Sequence, residues 1–242
     1  MAKITDLYVD IGAKTDKLDS GLGRVGSKLK ELGRYVAGAF AVSKIAGFVL
    51  ESAKLGAQME GVNAAFKNLN QPGLLKELQD ATKGTVSNLE LMKAAVKSSN
   101  FKIPLEQLGT LLEFANKRAQ DTGQSVDYLV ESIVMGIGRK SPLILDNLGI
   151  SAIRLREEFK GVGVEMASVE DIAATVGKIA QEEMAKAGDI IETSAIKTQQ
   201  LNAALENTQV VIGQRVNPAL NELKKYALQA MSNLSLILYG SA

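Results

Sequence analysis

The chain has 242 residues, 46% of them hydrophobic and 23% charged, with a formal net charge of +1. That is enough apolar material for the core of one or two domains, and too little net charge for a protein that binds polyanions by bulk attraction. There is no His, Cys or Trp, and aromatics are 5%, which excludes imidazole acid/base chemistry, thiol nucleophiles, disulfides, almost every zinc site and a base-stacking surface.

Residues 4–11 alternate apolar Leu7, Val9 and Ile11 with Asp6, Tyr8 and Asp10, the pattern of a strand, which Gly12 ends. From Thr15 the period becomes helical. Leu18, Leu22, Val25, Leu29, Leu32 and Val36 follow spacings of 4, 3, 4, 3 and 4, a heptad seam expected to mediate self-association. Several glycines weaken this helix by roughly 1 kcal/mol each, so it should need a partner. Gly33, Ala37 and Ala41 add a stripe of small residues along it. Residues 24–54 are locally basic, with Arg24, Lys28, Lys30, Arg34, Lys44 and Lys54 against Glu31 and Glu51. The most apolar stretch, residues 35–50, is interrupted by Lys44 and is short of a membrane span, leaving transient membrane contact as the most it would make.

The middle of the chain reads as a series of short helices. Asn70 to Gly73 forms a break, and Ser87 with Glu90 makes a capping box. Pro104 opens a helix with Leu105, Leu108, Leu111, Leu112 and Ala115 inward and Gly123 past its end. Ser125 starts another, with Leu129, Ile133 and Ile137 buried, which Gly138 to Pro142 breaks. Ser141 and Pro142 then cap and open a short helix ending at Gly149. Its Leu143, Leu145 and Leu148 are expected inward, Asp146 and Asn147 outward, and Arg139 and Lys140 exposed at its mouth as a possible partner-docking surface. A helix over about 152–159 follows. Ser168 and Asp171 open the next, with Ile172, Val176, Ile179 and Met184 inward. Residues 146–192 carry ten acidic and five basic residues, so that side of the molecule is acidic. A long apolar-periodic stretch runs over about 193–238, with Leu201, Leu205, Thr208 and Ile212 again spaced 4, 3, 4 and an interruption expected at Asn217 and Pro218.

Residues carrying chemistry are sparse. Gly21, Gly23 and Gly26 match the spacing of a dinucleotide-binding loop, but the strand ends some ten residues too early and no second strand brings an acidic residue, so the glycines serve helix packing. Ser27 with Lys30, and Ser194 with Lys197, match a serine-hydrolase spacing without its companion motifs. Glu157–Glu158 and Glu182–Glu183 diverge by about 100° on a helix and form solvated faces rather than an acid/base pair. No catalytic residue, cofactor or metal ligand is assigned.

Three stretches carry a resemblance. Residues 7–22 lead from an alternating strand through Ile11, Gly12 and Ala13 to Gly21 and Leu22. Residues 138–150 run from Arg139, Ser141 and Pro142 to Leu145, Leu148, Gly149 and Ile150. Residues 200–221 combine Leu201, Leu205 and Glu206 with Gly213, Pro218 and Leu220. Together, and in this order, they resemble the N-terminal region of bacteriophage tail tape measure proteins. The resemblance implies a non-enzymatic structural protein of the virion tail, present in the host cytoplasm during assembly. Such proteins set tail length, support tail-tube assembly and assist genome delivery. It also implies a homo-oligomer, with a trimer favoured, and tail tube protein and tail assembly chaperones as partners; nucleic acid is not expected as one. A fully helical chain of this length would reach only about 360 Å, short for the family, so the chain corresponds to an N-terminal part or a miniature member. A membrane-active or pore-forming helical protein, acting through residues 35–50 and 228–239, is the competing reading from another class, and a small nucleotide-binding enzyme a third.

The fold expected is all-α with one short N-terminal β-strand. It comprises a strand and coiled-coil-like helix over 1–59, a compact helical domain over 60–188 and a long helical segment over 189–242.

Overall fold

Several helices start where short polar side chains satisfy the first free backbone N–H groups. In the computed structural model, which describes residues 39–160, 163–187 and 193–239, Ser87 accepts from the Glu90 N–H at the start of α3 (Asn88–Asn100), and Ser125 from the Tyr128 N–H at the start of α5 (Val126–Gly138). Ser151 does the same for α7 (Ala152–Glu158) and Ser168 for α8 (Val169–Ala187). Ser87 makes only half of the expected capping box, because the Glu90 carboxylate turns to Lys93 instead. The remaining helices are α1 (Ala39–Lys67), α2 (Leu74–Ala81), α4 (Leu105–Thr122), the single-turn α6 (Pro142–Leu145) and α9 (Ser194–Tyr239). A 3₁₀ turn at Asp146–Leu148 follows α6.

The described residues are all-α, with no strand among them. The strand expected over 4–11 lies outside the described residues, as do the heptad seam from Leu18 to Val36 and the glycines at 21–26. The chain divides into two compact units, Met1–Leu50 and Glu51–Ala242. In the first, the described part is the opening of α1, with Phe48 and Leu50 exposed. Among the described residues no helix is long and apolar enough to cross a membrane.

In the second unit α4 is the hub, packing against α2, α3, α5 and α8. Its Leu108, Leu111, Leu112 and Phe114 meet Leu129, Ile133 and Ile137 of α5 and Ile172, Val176 and Ile179 of α8, all essentially inaccessible to solvent. Each such side chain contributes about 1.5–3 kcal/mol by leaving water. A buried polar knot ties α2 to α4: Asn116 donates to the Thr82 carbonyl at 3.1 Å, and Thr85 donates to the same carbonyl at 2.7 Å.

Three helices end in an unexpected way. Past α2, α3 and α5 the left-handed position is taken by Lys83, Lys102 and Lys140, with φ of 51°, 64° and 53°. In each case the next residue bonds back across the turn: Gly84 to Gln79, Ile103 to Ser98 and Ser141 to Gly136. This is the geometry glycine usually occupies. A lysine there carries about 1 kcal/mol of backbone strain, offset in part by its charge at the negative end of the helix dipole.

The last helix departs from the sequence reading. α9 runs unbroken through Pro218, so the expected interruption does not occur. The proline removes one backbone donor, and beside it Asn217 donates to the Ala53 carbonyl of α1 at 3.0 Å, which holds α9 against its neighbour at the weakened turn. The buried seam of α9 is also not the one spaced 4, 3, 4. Ile196, Ala203 and Val210 face inward, whereas Leu201 and Leu205 are more than half exposed.

Candidate functional site

Three places in the second unit present functional geometry. The first is the 139–149 element. Arg139 is exposed and Lys140 partly so, both at the C-terminal end of α5, where their charges complement the helix dipole. Pro142 occupies the first turn of α6, and Gly149 ends the 3₁₀ turn at a φ of 70°. Two expectations are corrected. Ser141 makes no side-chain cap; its carbonyl accepts from Ile144 and Leu145 instead, because its backbone is already committed to closing the turn after α5. Leu143 points outward at 80% exposure, while Leu145 and Leu148 are buried. A single-turn helix can bury only one side, and Leu145 takes it by filling the space above Gly136, where a Cβ would come within 2.7 Å of the leucine. Arg118 braces the element, donating to the Leu148 carbonyl at 2.7 Å.

The second is the crossing of α1 and α9. Gly56 and Gly213 meet backbone to backbone. A Cβ on Gly56 would lie 2.5 Å from the Gln214 nitrogen, and one on Gly213 would overlap the Ser52 carbonyl. Around this point Met59, Leu89, Met92 and Val210 form a small apolar cluster. Polar bonds complete the attachment of α9. Ser87 donates to Glu206 at 2.7 Å, the Asn88 N–H donates to Asn207 at 2.8 Å, and Gln200 donates to the Lys83 carbonyl at 2.9 Å.

The third is a groove of about 360 Å³ between α1, α3 and α5. Gly61, Val62 and Ala65 line one wall, with Ala94 and Val130 opposite, and Asp127 at the rim. Glu90 pairs with Lys93 at 2.7 Å and Glu131 with Lys97 at 2.7 Å. Asp127 belongs to neither pair. Desolvation at the rim, followed by the charges of Glu90 and then Glu206, pushes its pKa from 3.8 up to about 6.

The acidic doublets are less idle than their sequence suggests. Arg154 of α7 forks onto Glu182 at 2.5 Å and Glu183 at 2.8 Å. The Arg154 hydrogen bond, then that of Lys186, holds the Glu183 carboxyl below its ordinary range. The doublet is thus a strut between α7 and α8. Ser194 is exposed at the first turn of α9. No cluster of carboxylates able to hold a metal ion occurs among the described residues.

Sequence reasoning missed the glycine crossing and the Asp127 groove. The crossing joins residues 157 positions apart, and the groove's carboxylates, Glu90, Asp127 and Glu131, come from two separate helices. The available signal was the run of small residues along residues 39–65, among them Ser52 and Gly56, and the isolated Gly213 within the last helix. No protein-family profile matches the chain, and no solved structure matches it.

Proposed function

We propose that the chain is a non-catalytic structural protein of a bacteriophage tail, acting as a tape measure protein does. In this reading it works through length and through contacts with copies of itself, the tail tube protein and assembly chaperones. The observation that carries the reading is α9. The helix spans 46 residues, about 69 Å, and runs on for some 33 Å beyond its bond at Asn217. A body of this size needs no such helix for its own core. Two of the three stretches that resemble the tape measure family are structured elements here: residues 138–150 form the α5 exit with α6 and the 3₁₀ turn, and residues 200–221 lie on α9.

Deleting the gene from the phage that carries it tests the proposal. Electron microscopy of the lysate should show heads without tails of a defined length, restored by the gene in trans. Normal tails in the deletion strain would overturn it. Dye-filled liposomes should stay intact with micromolar protein, whereas leakage would favour the membrane-active alternative.

A further inference from the structure

We propose that the groove between α1, α3 and α5 is an interaction surface for a lysine or arginine side chain, and that this side chain is carried by the basic segment 18–36 of a second copy of the chain. The inference does not rest on the tail reading, and it differs from seam-to-seam pairing of two such segments.

Glu90 and Glu131 each have a lysine from α3 at 2.7 Å. Both lysines lining the groove are thereby engaged, and among the described residues no ion pair reaches Asp127, which feels the charges of Glu90 and Glu206. No charged residue of α1 lines this groove to compensate it. Desolvation, then the charges of Glu90 and Glu206, raise the pKa of Asp127, so a cation brought against it would relieve that repulsion. An apolar trough with one uncompensated carboxylate at its rim suits a cation on an aliphatic stem. The stem lies along Val62, Ala65 and Val130, and the head makes a charge-assisted bond to Asp127.

The next step is space. At about 360 Å³ the groove is at the low end of ligand pockets, room for one or two side chains. A Cβ built on Gly61 meets nothing within 4 Å, so a larger side chain there can grow into the groove without displacing its walls. An ordinary helix former at that position would be favoured by about 1 kcal/mol over glycine.

The occupant follows from complementarity. Segment 18–36 joins an apolar heptad seam to Arg24, Lys28, Lys30 and Arg34, and Lys28 directly precedes the seam residue Leu29. On the heptad pattern of the sequence, Lys28 flanks the apolar positions, from which a lysine can reach past a leucine contact. A groove on one copy filled by a segment of the next is a heterologous contact, so association should be open-ended and concentration-dependent rather than closed at a fixed number.

Sedimentation velocity on the full chain provides the test. The wild type should associate with rising concentration. Asp127→Asn and Gly61→Leu should each weaken association about tenfold or more, the scale of one charge-assisted bond, while retaining the helical circular dichroism and a cooperative melt. The swap Asp127→Lys with Lys28→Asp should restore what either change alone removes. A wild type that stays monomeric, or association indifferent to Asp127 and Gly61, would overturn the proposal.

Discussion

Between Leu74 and Ala180 the described residues bury thirty apolar side chains in one continuous cluster centred on α4; the cluster shared by α1, α3 and α9 buries four. The first region is held by bulk. Its helices are amphipathic and pack on one another around α4, so no single contact defines it. The second is held by fit. α9 touches the rest through a narrow seam, one backbone-to-backbone crossing and a few polar bonds. The difference teaches that one helical chain can combine a rigid body with a long helix whose attachment is only as strong as one point of close approach. Four perturbations break or sharpen the contrast.

The largest effect belongs in the body. Leu129→Ala removes a fully buried side chain from α5 and should cost about 2–5 kcal/mol. Denaturant unfolding followed by circular dichroism should show one earlier transition for the body as a whole. A loss below about 1 kcal/mol would mean that the core is looser than its burial indicates.

Next comes the crossing. Gly213→Val places a side chain where the Ser52 carbonyl stands; backbone cannot yield as a flexible side chain can, so the helices must separate, at about 1–3 kcal/mol. Hydrogen exchange should show α9 amides losing protection while those of α4 and α5 keep theirs. Equal loss everywhere would show the two regions to be one cooperative unit and dissolve the comparison.

These two perturbations also mark where the sequence is legible. The body was readable because its signals are local: Ser125, Leu129, Ile133 and Ile137 lie within thirteen residues, and capping and helical period are properties of such a window. The α9 layer was not. Leu201 and Leu205 have a sound heptad spacing yet face solvent, because the face α9 buries is set by where Gly213 meets Gly56, a contact invisible to any local window. Pro218 misled for the same reason: its local cost is offset by docking on a helix far back in the chain. Asp127 reads as an ordinary first-turn acid until Glu90 and Glu206 are brought beside it.

A smaller effect follows from that convergence. Asp127 has a native pKa of about 6 against an ordinary 3.8. Between those values the folded chain binds more protons than the unfolded one, so this group's contribution to stability grows as pH falls from 7 toward 4. Glu183, held below its ordinary range, acts oppositely, and only at more acid pH, where its stabilisation is lost. Between pH 7 and 5 the Asp127 effect is therefore the one expected to show. The melting temperature should rise modestly over that interval, and Asp127→Asn should abolish the rise. A rise that persists in the variant would assign it to another carboxylate.

The smallest effect is expected at the exit of α5. Arg139 is exposed and Lys140 partly so, and replacing both with alanine should move the melting temperature by about a degree or less, since surface changes away from core features stay within about 0.5 kcal/mol. Alanine keeps the left-handed strain at position 140, whereas Lys140→Gly relieves it and should add about 0.5–1 kcal/mol. The pair of variants separates backbone from charge. On the proposed tail reading, if the lysine is there only to close a helix, the glycine variant is more stable and tail assembly proceeds with either substitution. If the two cations receive a partner, tail yield falls with both substitutions although one of them stabilises the fold. That second pattern would place the element's function on its exposed edge, with Leu143 beside it, rather than in the body it closes.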